Sequence, residues 1–328
     1  MMKFLIIGLG SMGKRRIRNI QALKAGKIVG FDLNENRRQE AREKYNIETI
    51  ANLDKLDFKN ISAIIVSTPP DKHNPYIKLA IKKKKPVFVE ASAVLEGLEE
   101  LNRLAEKNKI LVAPSCTMRF YPAIKAVKRI VKSKKYGRVT NFSYHIGQYL
   151  PDWHPWENVK NFYAGKKKTS GSREMFAFEL TWIVDIVGFP KKFSGFFGRT
   201  MNLGANIDDT YVVSLDFGRT FGNFAVDVVA RCMTRSLIMN MEKGQILWRW
   251  DENFLKLYDA ATKKWKRIDL PRGRAAEGYD KNTIEEMYID EVRAFIGAVK
   301  GKKRFPNSLS DDIKVLKILY GVEKQRNR

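Results

Sequence analysis

The sequence predicts an α/β protein: a doubly wound parallel sheet, followed by an α+β domain with a large, mainly antiparallel, open-faced sheet. Three observations carry this. An apolar run close to the start passes directly into a glycine-rich turn. Apolar strands then alternate with amphipathic helices as far as Pro114. From Phe193 onward, short strands separated by turn signals dominate.

The first strand is Phe4-Leu5-Ile6-Ile7, with the composition of a strand buried on both faces. Gly8-Leu9-Gly10-Ser11-Met12-Gly13 follows, then a helix over about Lys14–Lys24 with Ile17, Ile20 and Leu23 on one side. Glycines at this spacing allow a tight turn, close backbone approach to a ligand and close strand–helix packing, and the helix N-terminus favours a diphosphate. Gly8, Gly10, Ser11, Met12 and Gly13 are therefore the candidate pyrophosphate cradle. The next strand, Lys27–Phe31, ends in Asp32, placed to accept hydrogen bonds from an adenosine ribose. Asp32 would repel a 2′-phosphate, which favours NAD over NADP, while Arg37 and Arg38 leave NADP open. The alternative is an ordinary βαβ unit with a glycine turn and a surface aspartate.

Asn34 is a suitable cap for a helix to about Tyr45. A short strand over Glu48–Ala51 follows, then the strand Ala63–Val66, which runs into Ser67-Thr68-Pro69-Pro70 at the end where such sheets bind ligands. A helix over about Asn74–Lys84, a strand Pro86–Glu90, a helix Leu95–Asn108 and a strand Ile110–Pro114 complete the first domain, assigned to residues 1–118. In the second, 119–328, the sequence predicts a helix Pro122–Ser133, a long strand Arg138–Tyr149, an irregular segment Leu150–Ser172 and a helix Arg173–Val187. Strands are expected at Phe193–Met201, Asp209–Phe217, Thr220–Ala230, Ser236–Met241, Gln245–Trp250 and Phe254–Asp259, and two closing helices at Asn282–Lys300 and Leu309–Glu323.

Composition narrows the function. With 44% hydrophobic and 30% charged residues, the 328-residue chain reads as an ordinary soluble protein. Its formal net charge of +25 fits a lysine-rich surface and an anionic substrate, and no nucleic-acid motif accompanies it. Cys116 and Cys232 lie far apart without metal-type spacing, as reduced thiols of a cytoplasmic protein do. The apolar start is too short for a signal peptide, and no run of about 18 apolar residues suggests a membrane span. Three histidines argue against a histidine metal site.

With these pieces in order, the chain resembles the Gfo/Idh/MocA oxidoreductases, the family of glucose–fructose oxidoreductase and inositol dehydrogenase. Gly8–Gly13 matches the family's fingerprint. Ser67-Thr68-Pro69-Pro70 with His73 resembles its Thr-Pro-x-x-x-His loop, and Val87–Glu90 the strand before Glu-Lys-Pro. Met118-Arg119-Phe120 with Pro122 resembles the interdomain segment, and Phe305–Leu309 the C-terminal one. The resemblance implies a Rossmann domain that binds NAD or NADP, with Ser67, Thr68, Pro69, His73, Glu90 and Ala91 on the nicotinamide side, and a sugar or polyol substrate. Two positions depart from the pattern. Glu-Lys-Pro reads Glu90-Ala91-Ser92, which removes the family's lysine, and Glu179 and Trp182 stand where the family places Asp and His.

Hydride transfer from a carbinol still requires an acceptor for the hydroxyl proton. His154, between Trp153 and Trp156, is the first candidate, with Tyr163 and Glu179 as alternates. Trp153 and Trp156 could stack on a sugar ring, Lys167 could meet phosphate, and Arg119, Arg173 and Trp182 complete the candidate substrate contacts. The competing readings are structural: aromatics anchoring a loop, a hydrogen-bonding His154, a salt-bridged Glu179. A protein that binds the dinucleotide without turnover, as a sensor, is the rival function. One apolar face of the second sheet predicts a homodimer or homotetramer.

Overall fold

The computed structural model describes residues 1–155, 157–275 and 282–325. It divides into two compact units: Met1–Thr117 with Glu286–Lys314, and Met118–Glu285 with Val315–Arg328. The segment 286–314, which a single cut at 118/119 gives to the second domain, packs with the first.

In the first unit six parallel strands form one sheet: β1 (Met2–Ile7), β2 (Gly26–Phe31), β3 (Glu48–Ile50), β4 (Ala63–Val66), β5 (Val87–Val89) and β6 (Val112–Pro114), in the order β3-β2-β1-β4-β5-β6. The order reverses between β1 and β4, and such a switch point opens a ligand crevice at the strands' carboxyl ends. Phe4–Ile7 and Ala63–Val66 are fully buried, as the continuous apolar runs require. The connecting helices are α1 (Ser11–Ala22), α2 (Glu35–Tyr45), α3 (His73–Lys82) and α4 (Leu98–Asn108). Helix α1 begins three residues before Lys14, because Lys14 N–H donates to Gly10 O and the end of the glycine motif is the first helical turn. Asn34 caps α2, its side chain accepting from Asn36 N and Arg37 N.

The second unit is built on an eight-stranded sheet. Its strands are β7 (Val139–Tyr149), β8 (Lys192–Gly198), β9 (Thr210–Asp216), β10 (Phe221–Asp227), β11 (Val229–Met241), β12 (Gly244–Arg249), β13 (Phe254–Asp259) and β14 (Lys264–Asp269). The order is β14-β13-β12-β11-β7-β10-β9-β8, antiparallel except for β10 beside β7. Helix α5 is Pro122–Lys132, and α6 (Gly171–Val187) packs on the sheet through Phe176, whose ring lies 5.7 Å from Tyr211 and 5.0 Å from Phe224. The opposite face leaves Phe196, Val212, Phe221, Ile238 and Trp265 exposed. Strand β14 was not foreseen. Its sequence, Lys-Trp-Lys-Arg-Ile-Asp, lacks an apolar pattern, and the charges suit a sheet edge that must not pair further. Helices α7 (Glu285–Val299) and α8 (Leu309–Lys324) close the chain. Among the described residues no helix is long and apolar enough to cross a membrane.

Candidate functional site

The crevice of the first unit is shaped by its glycines. Gly8 has φ +92, and a Cβ there would stand 2.6 Å from Ser67 O. A Cβ on Gly13 would stand 1.9 Å from Gly8 O, so strand and helix meet at a distance only glycine permits. Gly10 is different: its nearest neighbour would be Arg37 Nη1 at 3.9 Å, which leaves its outer side open. Two glycines thus close the turn and the third leaves room above it. Met12 is half-buried and Ser11 exposed at the mouth of α1.

Asp32, at the end of β2, is nearly buried. Its Oδ2 accepts from Leu9 N at 2.8 Å and its Oδ1 from Asn34 N at 2.9 Å, which fixes the carboxylate beside the glycine turn. Arg37 Nη1 lies 3.6 Å from Asp32 Oδ2 on a largely exposed side chain. Arg38 is committed elsewhere, donating to Asp32 O at 2.6 Å and pairing with Glu35.

Across the switch point, Ser67 and Thr68 follow β4 and Glu90 follows β5. His73 is buried, and its Nε2 lies 2.8 Å from Thr68 O, an acceptor, so Nε2 carries the proton. Burial pushes the His73 pKa below the ordinary histidine value, against the hydrogen bond to Thr68. The buried Nδ1 of His73 and the Oγ1 of Thr68 have no hydrogen-bond partner among the described residues. Pro69 is exposed and Ala91 half-buried.

Glu90 is clamped by Arg16, whose Nε and Nη2 donate to its two oxygens at 2.6 and 2.8 Å; Ser67 Oγ adds a donor at 3.2 Å. The same Nη2 lies 2.9 Å from Oε2 of Glu291 on α7. Glu291 also accepts from Ser115 Oγ (3.0 Å), Cys116 N (2.6 Å) and Thr117 Oγ1 (2.7 Å). Burial opposes the Arg16 charge, but Glu90 and Glu291 outweigh it and hold the guanidinium pKa above its ordinary value. Burial raises the Glu291 carboxyl pKa, and the negative Glu90 adds to the rise. Sequence reasoning found neither Arg16 nor Glu291. Arg16 was legible as a cation on the side of α1 that carries Ile17 and Ile20; Glu291 gave no signal, being 175 residues from Cys116.

In the second unit the structure gathers some of the expected residues and separates others. Glu179 is fully buried. Tyr144 Oη (2.8 Å) and Trp182 Nε1 (2.9 Å) donate to its Oε2, and Arg235 Nε (2.9 Å) to its Oε1. Trp182 stands edge-on to Tyr144 at 4.9 Å. Burial, with the charge of Glu179, pushes the Tyr144 phenol well above its ordinary pKa. His154 lies in the irregular segment, stacked on Phe162 at 4.0 Å, with Nδ1 3.4 Å from Glu157 Oε2. Tyr163 stands edge-on to Phe162 at 4.6 Å. Trp153 is half-buried against the start of α6, where a Cβ on Gly171 would meet its ring at 3.1 Å. Trp156 lies outside the described residues. Lys167 is exposed. Arg173 is paired with Glu323 at 2.7 and 3.0 Å, and Arg119 donates to Thr181 O at 3.1 Å beside Asp185. No group of three potential metal ligands occurs among the described residues.

The parallel sheet, the glycine turn at its switch point and the acid at the end of β2 together define a Rossmann-type dinucleotide-binding protein. Residues 2–115 match the family described as an oxidoreductase family with an NAD-binding Rossmann fold. The match lies in the first unit, whose sequence is that of the NAD-binding domain of the Gfo/Idh/MocA oxidoreductases.

Relatives agree at two levels. Over 113 residues the chain is 34% identical to an uncharacterised oxidoreductase of Schizosaccharomyces pombe, covering 33% of this chain and 31% of that protein. Over 98 residues, 30% of this chain, it is 35% identical to the UDP-N-acetylmuramate–L-alanine ligase of Rickettsia prowazekii, covering 19% of it. The chain thus spans less than a third of the length of these curated relatives. Whole-chain likeness appears in solved structures. An oxidoreductase of Agrobacterium radiobacter, in complex with NAD+, L-tartaric acid and magnesium, superposes with TM-score 0.87 at 14% identity over 100% of this chain and 96% of its own. A levoglucosan dehydrogenase in complex with NADH and L-sorbose gives 0.83 at 16% identity over 99% and 97%. Identities this low establish a shared fold.

The cofactor fits the residues present. The open side of Gly10, the first-turn amides of α1, the fixed Asp32 and the partnerless Thr68 Oγ1 and His73 Nδ1 are what a dinucleotide laid across these strand ends would occupy.

Proposed function

We propose that the protein is an oxidoreductase acting on a hydroxyl or keto carbon of a sugar or sugar derivative, with NAD as its cofactor and NADP as the alternative. The open cradle over Gly10, with Asp32 fixed beside it, carries this reading. When bound, NAD supplies the partner for hydride transfer. Gly8, Gly10, Ser11, Met12 and Gly13 hold the pyrophosphate against the positive end of α1, and Asp32 orients the ribose. Ser67, Thr68, Pro69, His73, Glu90 and Ala91 line the nicotinamide side. The +25 charge and exposed Lys167 favour an anionic, phosphorylated or nucleotide-linked sugar.

His154 is the proposed proton acceptor. It is partly exposed, and its Nδ1 lies 3.4 Å from Glu157 Oε2. Glu179 is the weaker candidate, because three donors occupy its oxygens and its burial closes it to solvent. Tyr163 remains an alternate, beside the same Phe162. The test is NADH absorbance with a panel of sugars, sugar phosphates and nucleotide sugars. Turnover that is lost at least about a hundredfold in His154→Ala, with cofactor affinity kept, supports the assignment; wild-type turnover in that variant removes it.

A further inference from the structure

Arg16, Glu90 and Glu291 form a buried cluster in which two carboxylates share one guanidinium. Its place follows from the topology. Asp32 ends β2, the glycine turn follows β1, Ser67 and Thr68 follow β4, and Glu90 follows β5. A dinucleotide with its ribose at Asp32 and its diphosphate at the turn extends its other half toward β4 and β5. Of the three charged groups, Glu90 alone keeps some exposure, 11% of its side chain against none for the others. Ser67 Oγ ties it to the end of β4.

We propose that this cluster makes the site select the oxidised nicotinamide. The inference rests on the cofactor reading above. The oxidised ring carries a positive charge that the reduced ring lacks, so a fixed charge near it discriminates between the two forms. Two carboxylates against one guanidinium leave one negative charge in excess, and burial protects that excess from screening by salt. No cation at the neighbouring position cancels it, since residue 91 is alanine. Asp71 and Lys72, on the loop before α3, pair with each other at 3.2 Å.

Calorimetric titration of the full chain at pH 8 with NAD+, NADH and ADP-ribose tests this. NAD+ binds at least as tightly as NADH. Glu90→Gln weakens NAD+ relative to NADH by about tenfold and leaves ADP-ribose unchanged, and Glu291→Gln shifts the ratio in the same direction. Wild-type protein binding NADH about tenfold more tightly than NAD+ overturns the inference, as does a ratio that neither variant moves. If ADP-ribose also fails to bind, the cofactor reading itself falls, and this inference with it.

Discussion

Arg16 grips Glu90 through Nε and Nη2, at 2.6 and 2.8 Å, from a helix that also buries Arg15 and Asn19 beside Ile17 and Ile20. The guanidinium lies 4.6 Å from the centre of the Phe88 ring and 5.5 Å from that of Tyr288. Removing it strands two buried carboxylates. Arg16→Leu is expected to cost about 3–5 kcal/mol in urea unfolding, because the penalty is the desolvated charge left behind. Replacing Arg16, Glu90 and Glu291 together by apolar residues should restore much of that loss. A single variant with an unchanged midpoint would show the cluster to be energetically idle.

The three glycines of the turn should respond differently. Gly13→Ala must drive a Cβ to 1.9 Å from a carbonyl oxygen, so the turn has to open. Both melting temperature and NAD affinity are expected to fall. Gly10→Ala meets nothing nearer than 3.9 Å. It should melt like wild type while binding NAD more weakly, because the methyl group takes the space the diphosphate needs. Equal loss of stability in the two variants would contradict this division of roles.

His73 gives a pH dependence of known sign. Burial lowers its folded-state pKa below the ordinary value, so the unfolded chain binds its proton first as pH falls. His73 therefore costs no stability above about pH 6.5 and destabilises the fold progressively below it, by at most about 1.4 kcal/mol per pH unit. Wild type is expected to lose stability relative to His73→Gln through this window. Parallel stability–pH curves for the two proteins would refute it.

The Glu179 network makes a further prediction. Tyr144→Phe removes one neutral donor from a carboxylate that keeps two others. It should cost about 1–2 kcal/mol. Glu179→Ala removes the carboxylate that faces the buried Arg235 and should cost about 3–5 kcal/mol. If both variants unfold at the same denaturant concentration, the network does not hold α6 to the sheet.

The exposed face of the second sheet predicts self-association. Phe196 and Phe221, 87% and 60% exposed, stand on β8 and β10. Light scattering is expected to report a dimer or tetramer, and Phe196→Asp with Phe221→Asp to reduce it to a monomer. A monomeric wild-type protein at high concentration would remove this expectation.

The first unit was legible in the sequence wherever one short stretch carried its own physics. Phe4–Ile7 had to be a buried strand, Gly8–Gly13 a turn that only glycine tolerates, and Asn34 a helix cap. The second sheet was legible where side chains alternate, as in β9, and illegible at β14, where charge masks the pattern. The run read as one strand over Thr220–Ala230 is two, β10 ending at Asp227 and β11 starting at Val229. No residue between them announces the change, because Asp227, which accepts from Val229 N and Ala230 N, reads as an ordinary polar strand residue.

The sequence by itself determined the strand–turn–helix that meets a dinucleotide, because glycine spacing, apolar runs and a terminal acid act over a few neighbouring residues. Only the tertiary structure decided what surrounds Glu90 and Glu179. Glu90 is held by Arg16, which also pairs with Glu291, and Glu179 by Tyr144 and Arg235, all from distant elements. Burial turns those distant charges into obligatory partners, and no local pattern records which carboxylate will be buried beside which cation.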